Sequence, residues 1–303
     1  MPMICRAALA ATLTFAVSFG AAQAGETKIA ANTFAAEHDP IASFLTTGET
    51  GAKPCLNPRS GDRDIFRNAK ALTGHCIRLH RIREAGKTWQ IYEIGGQRRG
   101  PLWAVLHDNE NAAFDAAVTG LNRYGGRIVA IEAGEKRKFH GQDPNRNFGI
   151  KRCRNQRGSG VKYTTFMMML VDKSTGVVGM HNNANGFAGG GGSGHINVFR
   201  KSRVLIGHPS RYAKGAFKDG DNFILVPGRG GWRPGSRPAR KIARLNKSGI
   251  HAVYEKVLAR ANDCSMSNHL VLSGYHNYVN IEVQHGQARV QRALLKPALN
   301  ALR

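Results

Sequence analysis

The sequence predicts an α/β sandwich built on a mixed sheet. Strand-like and helix-like segments alternate through the body of the chain, several apolar runs stop at Gly- or Asn-rich turns, and His107 and His181 stand where such runs stop. Alternation of this kind gives layered α/β folds, and open sheets collect their sites where strands end and loops begin.

The elements follow in order. TWQIYEIGG (88–96) and PLWAVLHD (101–108) read as two strands joined at Gly95-Gly96. ENAAFDAAVTGLNRYG (110–125) has helical spacing and precedes the strand GRIVAIEA (126–133). TTFMMMLVDKSTGVVGMH (164–181) offers two apolar runs, read as strands around a turn, with Trp103 and Met167 to Met169 as core. SGIHAVYEKVLARAN (248–262) reads as a helix and HLVLSGYHNYVNIEV (269–283) as strand segments. GQARVQRALLKPALNAL (286–302) closes as an amphipathic helix with a late Pro297.

The first 24 residues carry Arg6, an apolar run from Ala7 to Gly20 and Ala22-Gln23-Ala24, the pattern of a secretory signal peptide cut before Gly25. Residues 25–61 read as a polar N-terminal extension and 62–303 as one catalytic-sized domain. No second stretch is apolar enough for a transmembrane segment, so a periplasmic or secreted protein is expected. Cys55, Cys76, Cys153 and Cys264 contain no CxxC pair and suit two disulfides, with Cys55–Cys76 favoured by proximity and Cys153–Cys264 left over.

With 44 Lys and Arg against 20 Asp and Glu, the formal charge is +24, which predicts an anionic partner: a cell-wall polymer, acidic lipid head groups, nucleic acid or an acidic small substrate. Basic residues cluster at 151–162 and 229–247, and the second segment reads equally as a solvated loop or an anion-binding face. No helix-turn-helix, zinc finger or aromatic RNA-binding strand is present, which argues against a specific nucleic-acid partner. GFAGGGGSGH (186–195) lacks the Lys-Ser/Thr ending of a P-loop and reads as a loop rimming a site.

Chemistry concentrates in four places. In LHDNE, His107 ends a strand and Glu110 begins a helix, so one turn aims an imidazole and a carboxylate at the same point, a usable pair of zinc ligands. His181 ends another apolar run and is the preferred third ligand, with His195 ranked second and His208 and His285 as competitors. In GEKRKFHGQDPNRNF (134–148), Asn145 and Arg146 could grip a carboxylate and Arg137 a carbonyl oxygen, although DPNR is also good turn chemistry. Glu282, in YVNIEVQHGQ (278–287), places an acid on an apolar strand, where it requires a positive partner.

Taken in order, HxxE, a basic loop ending in DPNRNF, a strand-end His and a late strand carrying Glu resemble the zinc carboxypeptidases, or funnelins. They equally resemble the succinylglutamate desuccinylase and aspartoacylase group, which the segment IEVQHG is especially similar to. The likeness spans roughly 91–303. It implies an α/β/α sandwich of zinc-carboxypeptidase type, with His107, Glu110 and His181 binding Zn2+. It further implies Glu282 as general base and acid, Arg137 as oxyanion partner, and Asn145 with Arg146 holding a free carboxylate. The family's substrate-capping tyrosine has no clear counterpart; Tyr254 and Tyr275 are the candidates, and the spacing from Glu110 to His181 is short.

The function so implied is an exported zinc-dependent amide or peptide hydrolase whose substrate carries a free carboxylate, with peptidoglycan stem peptides as one such substrate. An N-acyl amino acid deacylase is the alternative within catalysis, and a non-catalytic basic envelope-binding protein the alternative outside it.

Overall fold

Among the described residues, nine strands form one mixed sheet in the order β1-β2-β4-β3-β5-β9-β7-β8-β6. They are β1 (Cys76–Glu84), β2 (Lys87–Gly95), β3 (Leu102–Val105), β4 (Arg127–Glu132), β5 (Val177–Asn183), β6 (Leu205–His208), β7 (Phe223–Arg229), β8 (His251–Val257) and β9 (Tyr278–Gln284). The described helices are α1 (Arg63–Arg67), α2 (Asn111–Tyr124), α3 (Val161–Met169), α4 (Arg237–Lys247), α5 (Met266–Leu272) and α6 (Ala288–Leu302). The computed structural model describes residues 55–60, 62–149, 160–183, 196–200 and 202–303. The signal segment, nearly all of the 25–61 extension, Cys153 and the glycine run with His195 lie outside the described residues.

Strands β4, β3, β5 and β9 run parallel, and β7 returns antiparallel to β9 before pairing in parallel with β8. Side chains alternate between the two faces of a strand, and the core divides accordingly. Trp103, Val105, Ile128 and Ala130 join the cluster under α2, α4 and α6, whereas Leu102, Ala104, Val129 and Ile131 join the cluster under α3 and α5. The result is the α/β/α sandwich expected. Gly120, inside α2, is a poor helix former, but a β-carbon there would lie 2.9 Å from the Trp103 ring, so close packing of the helix on the sheet requires the glycine.

Several elements differ from their sequence reading. TTFMMML lies largely in helix α3, and HLVL lies in helix α5; neither is a strand. HAVYEKV is strand β8 rather than helix. All three are short, mostly buried apolar runs, whose pattern does not distinguish strand from helix. Strands β2 and β3 are not neighbours, because β4 lies between them. From Arg237 onward the basic segment 229–247 is helix α4 rather than loop, started by Ser236, whose hydroxyl accepts from Ala239 N–H.

Trp103 and Met167 are fully buried as anticipated. Cys55–Cys76 is a disulfide. Cys264 is also disulfide-bonded, its partner being outside the described residues. Among the described residues no helix is long and apolar enough to cross a membrane.

Candidate metal centre and active site

The carboxyl ends of β3, β5 and β9 lie side by side, and three residues converge there. His107 follows β3, Glu110 precedes the first turn of α2, and His181 lies near the end of β5. One potential ligand atom from each falls within 4.8 Å of the others, and all three residues are buried. His107 Nδ1 is 2.8 Å from Glu110 Oε1. His181 Nδ1 is 3.1 Å from His107 Nδ1 and 3.1 Å from Glu110 Oε2.

Local sequence explains why Glu110 is available. It occupies the N-cap position of α2 but makes no side-chain cap bond. Asn182, next to His181 on β5, supplies that acceptor instead: its Oδ1 receives Ala113 N–H at 3.3 Å. The helix start is served by the neighbouring strand, and the glutamate turns inward.

His107 is held from behind by Asp143, whose Oδ1 lies 2.8 Å from Nε2. A carboxylate can only accept there, so Nε2 carries a proton, and it is Nδ1 that gains a lone pair facing Glu110 and His181 when the ring loses its second proton. Burial disfavours charge on His107, but Glu110 and Asp143 outweigh it and lift its pKa to about 9. Burial likewise opposes ionisation of Glu110 and Asp143, yet the histidines hold the first, and His107 with Arg137 and Arg146 the second, well below the usual carboxylate range. Two imidazole nitrogens facing each other beside a carboxylate leave more lone pairs than protons to share. A divalent cation would satisfy all three, and two nitrogens with one oxygen, one imidazole braced by a carboxylate, are a donor set suited to zinc.

Glu282 lies on β9 directly across from His181 on β5, so the two project from the same face of the sheet. It is 8 % exposed and accepts from Asn280 Nδ2 at 2.9 Å. Burial raises its pKa, with Glu110 adding to the rise and His181, Arg137 and His107 opposing it. Gly179, two residues before His181, keeps this face open: a β-carbon there would sit 2.6 Å from the Tyr278 hydroxyl and 2.8 Å from Asn280 Oδ1.

Arg137 reaches the cluster, its Nη1 donating to Glu110 Oε1 at 3.0 Å and its Nη2 lying 3.6 Å from Asp143 Oδ2. Asn145 Oδ1 accepts from Met266 N–H at 3.0 Å, which fixes the amide on the start of α5. Arg146 donates through Nη1 to the Asn145 carbonyl at 2.9 Å, with Nε 3.5 Å from Asp263 Oδ2. Phe148 N–H donates to the Cys264 carbonyl, so the DPNR loop is fastened to the 262–266 loop at several points.

Two further acids belong to the neighbourhood. Asp143 sits within the DPNR turn and looks like turn chemistry, since the oxygen that meets His107 also accepts from Asn145 N–H. Glu255 on β8 accepts from Asn268 Nδ2 at 2.9 Å, and its carboxyl is pushed up to about 7 by burial and by Asp263, with Ser267 and Arg146 opposing. It was detectable by the signal that singled out Glu282, an acid within an apolar run.

The other described candidates, His208, His285, Tyr254 and Tyr275, are engaged or placed differently. His208 is on the edge strand β6 against Trp232, and His285 is exposed. The Tyr254 hydroxyl donates to the Gly230 carbonyl and the Tyr275 hydroxyl to the Asp172 carbonyl. A separate group of carboxylates, Asp62, Asp108 and Glu132, also falls within 4.8 Å. There burial, and after it the neighbouring Glu132, push Asp62 up to about 8.

No family model matches the chain, and no curated protein does. Among solved structures it is similar to a candidate metallopeptidase from Shewanella amazonensis SB2B, at 14 % identity and TM-score 0.42 over 79 % of this chain and 89 % of that one. A candidate metallopeptidase from Shewanella baltica OS155 is similar at 14 % identity and TM-score 0.41, over 78 % and 87 %. An aspartoacylase family protein from Mesorhizobium loti is similar at 12 % identity and TM-score 0.40, over 83 % and 71 %. These are distant likenesses, and the site geometry above is independent of them.

Proposed function

We propose that this chain is an exported, zinc-dependent hydrolase of amide or peptide bonds, with its catalytic domain at 62–303 following a signal peptide at 1–24 and an extension at 25–61. The observation that carries the reading is the meeting of His107, Glu110 and His181 at one point, with Glu282 across from His181 on the adjoining strand. His107, Glu110 and His181 would hold the ion. Bound zinc supplies Lewis acidity and brings the pKa of a water towards about 7.

Glu282 takes a proton from the attacking water and returns it to the leaving amine, a task suited to a buried carboxylate whose pKa is raised. Arg137 faces the developing oxyanion. Asn145, its amide oxygen engaged by Met266 N–H, turns its NH2 group with Arg146 towards the free carboxylate of the substrate. A basic exported enzyme meets such carboxylates in peptidoglycan stem peptides, which we place first among substrates.

A deacylase acting on N-acyl amino acids is the second reading. It is favoured by the engagement of Tyr254 and Tyr275 hydroxyls elsewhere, which leaves neither candidate to cap a peptide C-terminus. The deciding experiment offers the zinc-loaded mature protein muropeptides, short peptides and N-acyl amino acids side by side. Release of an amino acid from peptides supports the first reading and release only from acyl amino acids the second; turnover of neither, with zinc bound, rejects both.

A further inference from the structure

A second cleft, of ≈ 620 Å³ including its open mouth, lies between the carboxyl end of β7 and the start of α4. Its polar lining includes Arg229, Arg233, Arg237 and Lys241, with no acid among the lining residues, while Pro227, Pro238 and Tyr254 give it apolar walls. It is remote from the metal centre. Strand β7 runs antiparallel to β9 and pairs Phe223 with Glu282, so Arg229 stands six residues beyond, about 20 Å along the sheet at 3.3 Å per residue. The cleft also opens on the opposite face, since Tyr254 packs with the α4 side of the core while Glu282 projects from the other.

Lys241 is the unusual member. It is only 2 % exposed, and Nζ donates to the His276 carbonyl at 2.9 Å. An ammonium group has three donors, and among the described residues no carboxylate pairs with it. Burial, together with Arg237 and Arg244, lowers its pKa to about 7. Around the mouth, the side chains of Arg229 and Arg233 make no hydrogen bond or ion pair among the described residues, and both are exposed. Gly230 and Gly231 lie between them, and the eleven-residue helix α4 begins four residues after Arg233.

We infer that this cleft binds a phosphate group, free or as the monoester of a small organic molecule, at a site separate from the metal centre. Three guanidinium groups and one buried ammonium exceed what a single carboxylate would neutralise and match a dianion with three acceptor oxygens. Lys241 serves as the point charge at the floor and the arginines as forks at the mouth. Pro227, Pro238 and the Tyr254 ring form walls against which the organic part of a monoester packs.

The test titrates the zinc-loaded full chain with inorganic phosphate and, separately, phenyl phosphate, followed by calorimetry at 0.15 M salt. Arg229→Gln/Arg233→Gln, both exposed, should weaken binding at least tenfold. Arg292→Gln/Lys296→Gln, removing the same charge from α6, should change it less than twofold. Tighter binding of phenyl phosphate identifies a monoester site and equal binding a free-phosphate site. In the wild type, binding at pH 8 should be accompanied by proton uptake that Lys241→Gln abolishes. Equal weakening by the two double variants, loss in neither, or absence of a saturable site would overturn the inference.

Discussion

Asp143 and His107 are joined through one carboxylate oxygen and Nε2 at 2.8 Å, and that contact decides which nitrogen of His107 faces Glu110 and His181. Replacing a carboxylate that orients a metal-binding histidine costs about 10- to 100-fold in metal affinity. Asp143→Ala should therefore lower zinc affinity by about that factor, read by competition with a chromophoric chelator. Asp143→Asn should do so less, because its amide oxygen can still accept. Affinities unchanged in both would show that the turn, rather than the imidazole, is what Asp143 serves.

Glu282→Gln preserves size and can still hydrogen-bond to Asn280 but cannot carry a proton. We expect kcat to fall by about 10²–10⁴ with zinc stoichiometry unchanged. In the wild type the acidic limb of kcat/KM should lie above the ordinary glutamate value of 4.5, because burial raises the carboxyl and activity disappears as pH falls through that raised value. A variant that loses metal as well as activity would reassign the residue to structure.

Zinc uptake should release a proton. With His107 lifted to about 9, the ring is protonated at pH 7 before the ion arrives and must lose that proton to act as a ligand. Affinity should then rise about tenfold per pH unit from pH 6 to 8 and level off above about 9. Isothermal titration in buffers of different ionisation enthalpy measures the proton count directly, and a count of zero at pH 7 contradicts the assignment.

Asp62 offers a test of stability away from the metal. Its folded pKa of about 8 lies above the unfolded 3.8, so the folded state holds a proton that the unfolded chain has released. Its contribution is complete below pH 3.8 and is lost as pH rises to about 8. Asp62→Asn keeps the cap on Ile65 N–H, since Asn is as good an N-cap as Asp, and lets an amide donate to Glu132. The melting temperature should rise by a few degrees at pH 7.5 and be unchanged at pH 4. A fall at pH 7.5 would mean that the three carboxylates hold something more than a proton.

The sequence showed the parts of this protein that have an edge in their pattern. The apolar run of β3 stops visibly before His107, α2 has clear helical spacing, and β9 is marked by an acid among apolar residues. Helices α3 and α5 and strand β8 were misread because burial leaves little alternation for a period to reveal. Asp143 was hidden differently: one oxygen both closes a turn and meets an imidazole 36 residues away, and only the first use is written locally. Asn182 is similar, since capping a helix from a neighbouring strand leaves no trace in the spacing of either element.

Gly179 carries a consequence for how the site tolerates change. A single methyl group at that position would press on Tyr278 and Asn280, and Asn280 is the residue whose amide steadies Glu282. The smallest residue of β5 thus acts as a spacer for chemistry it never touches. Variation at 179 should be visible first as misplacement of the acid on β9, before any loss of the sheet itself.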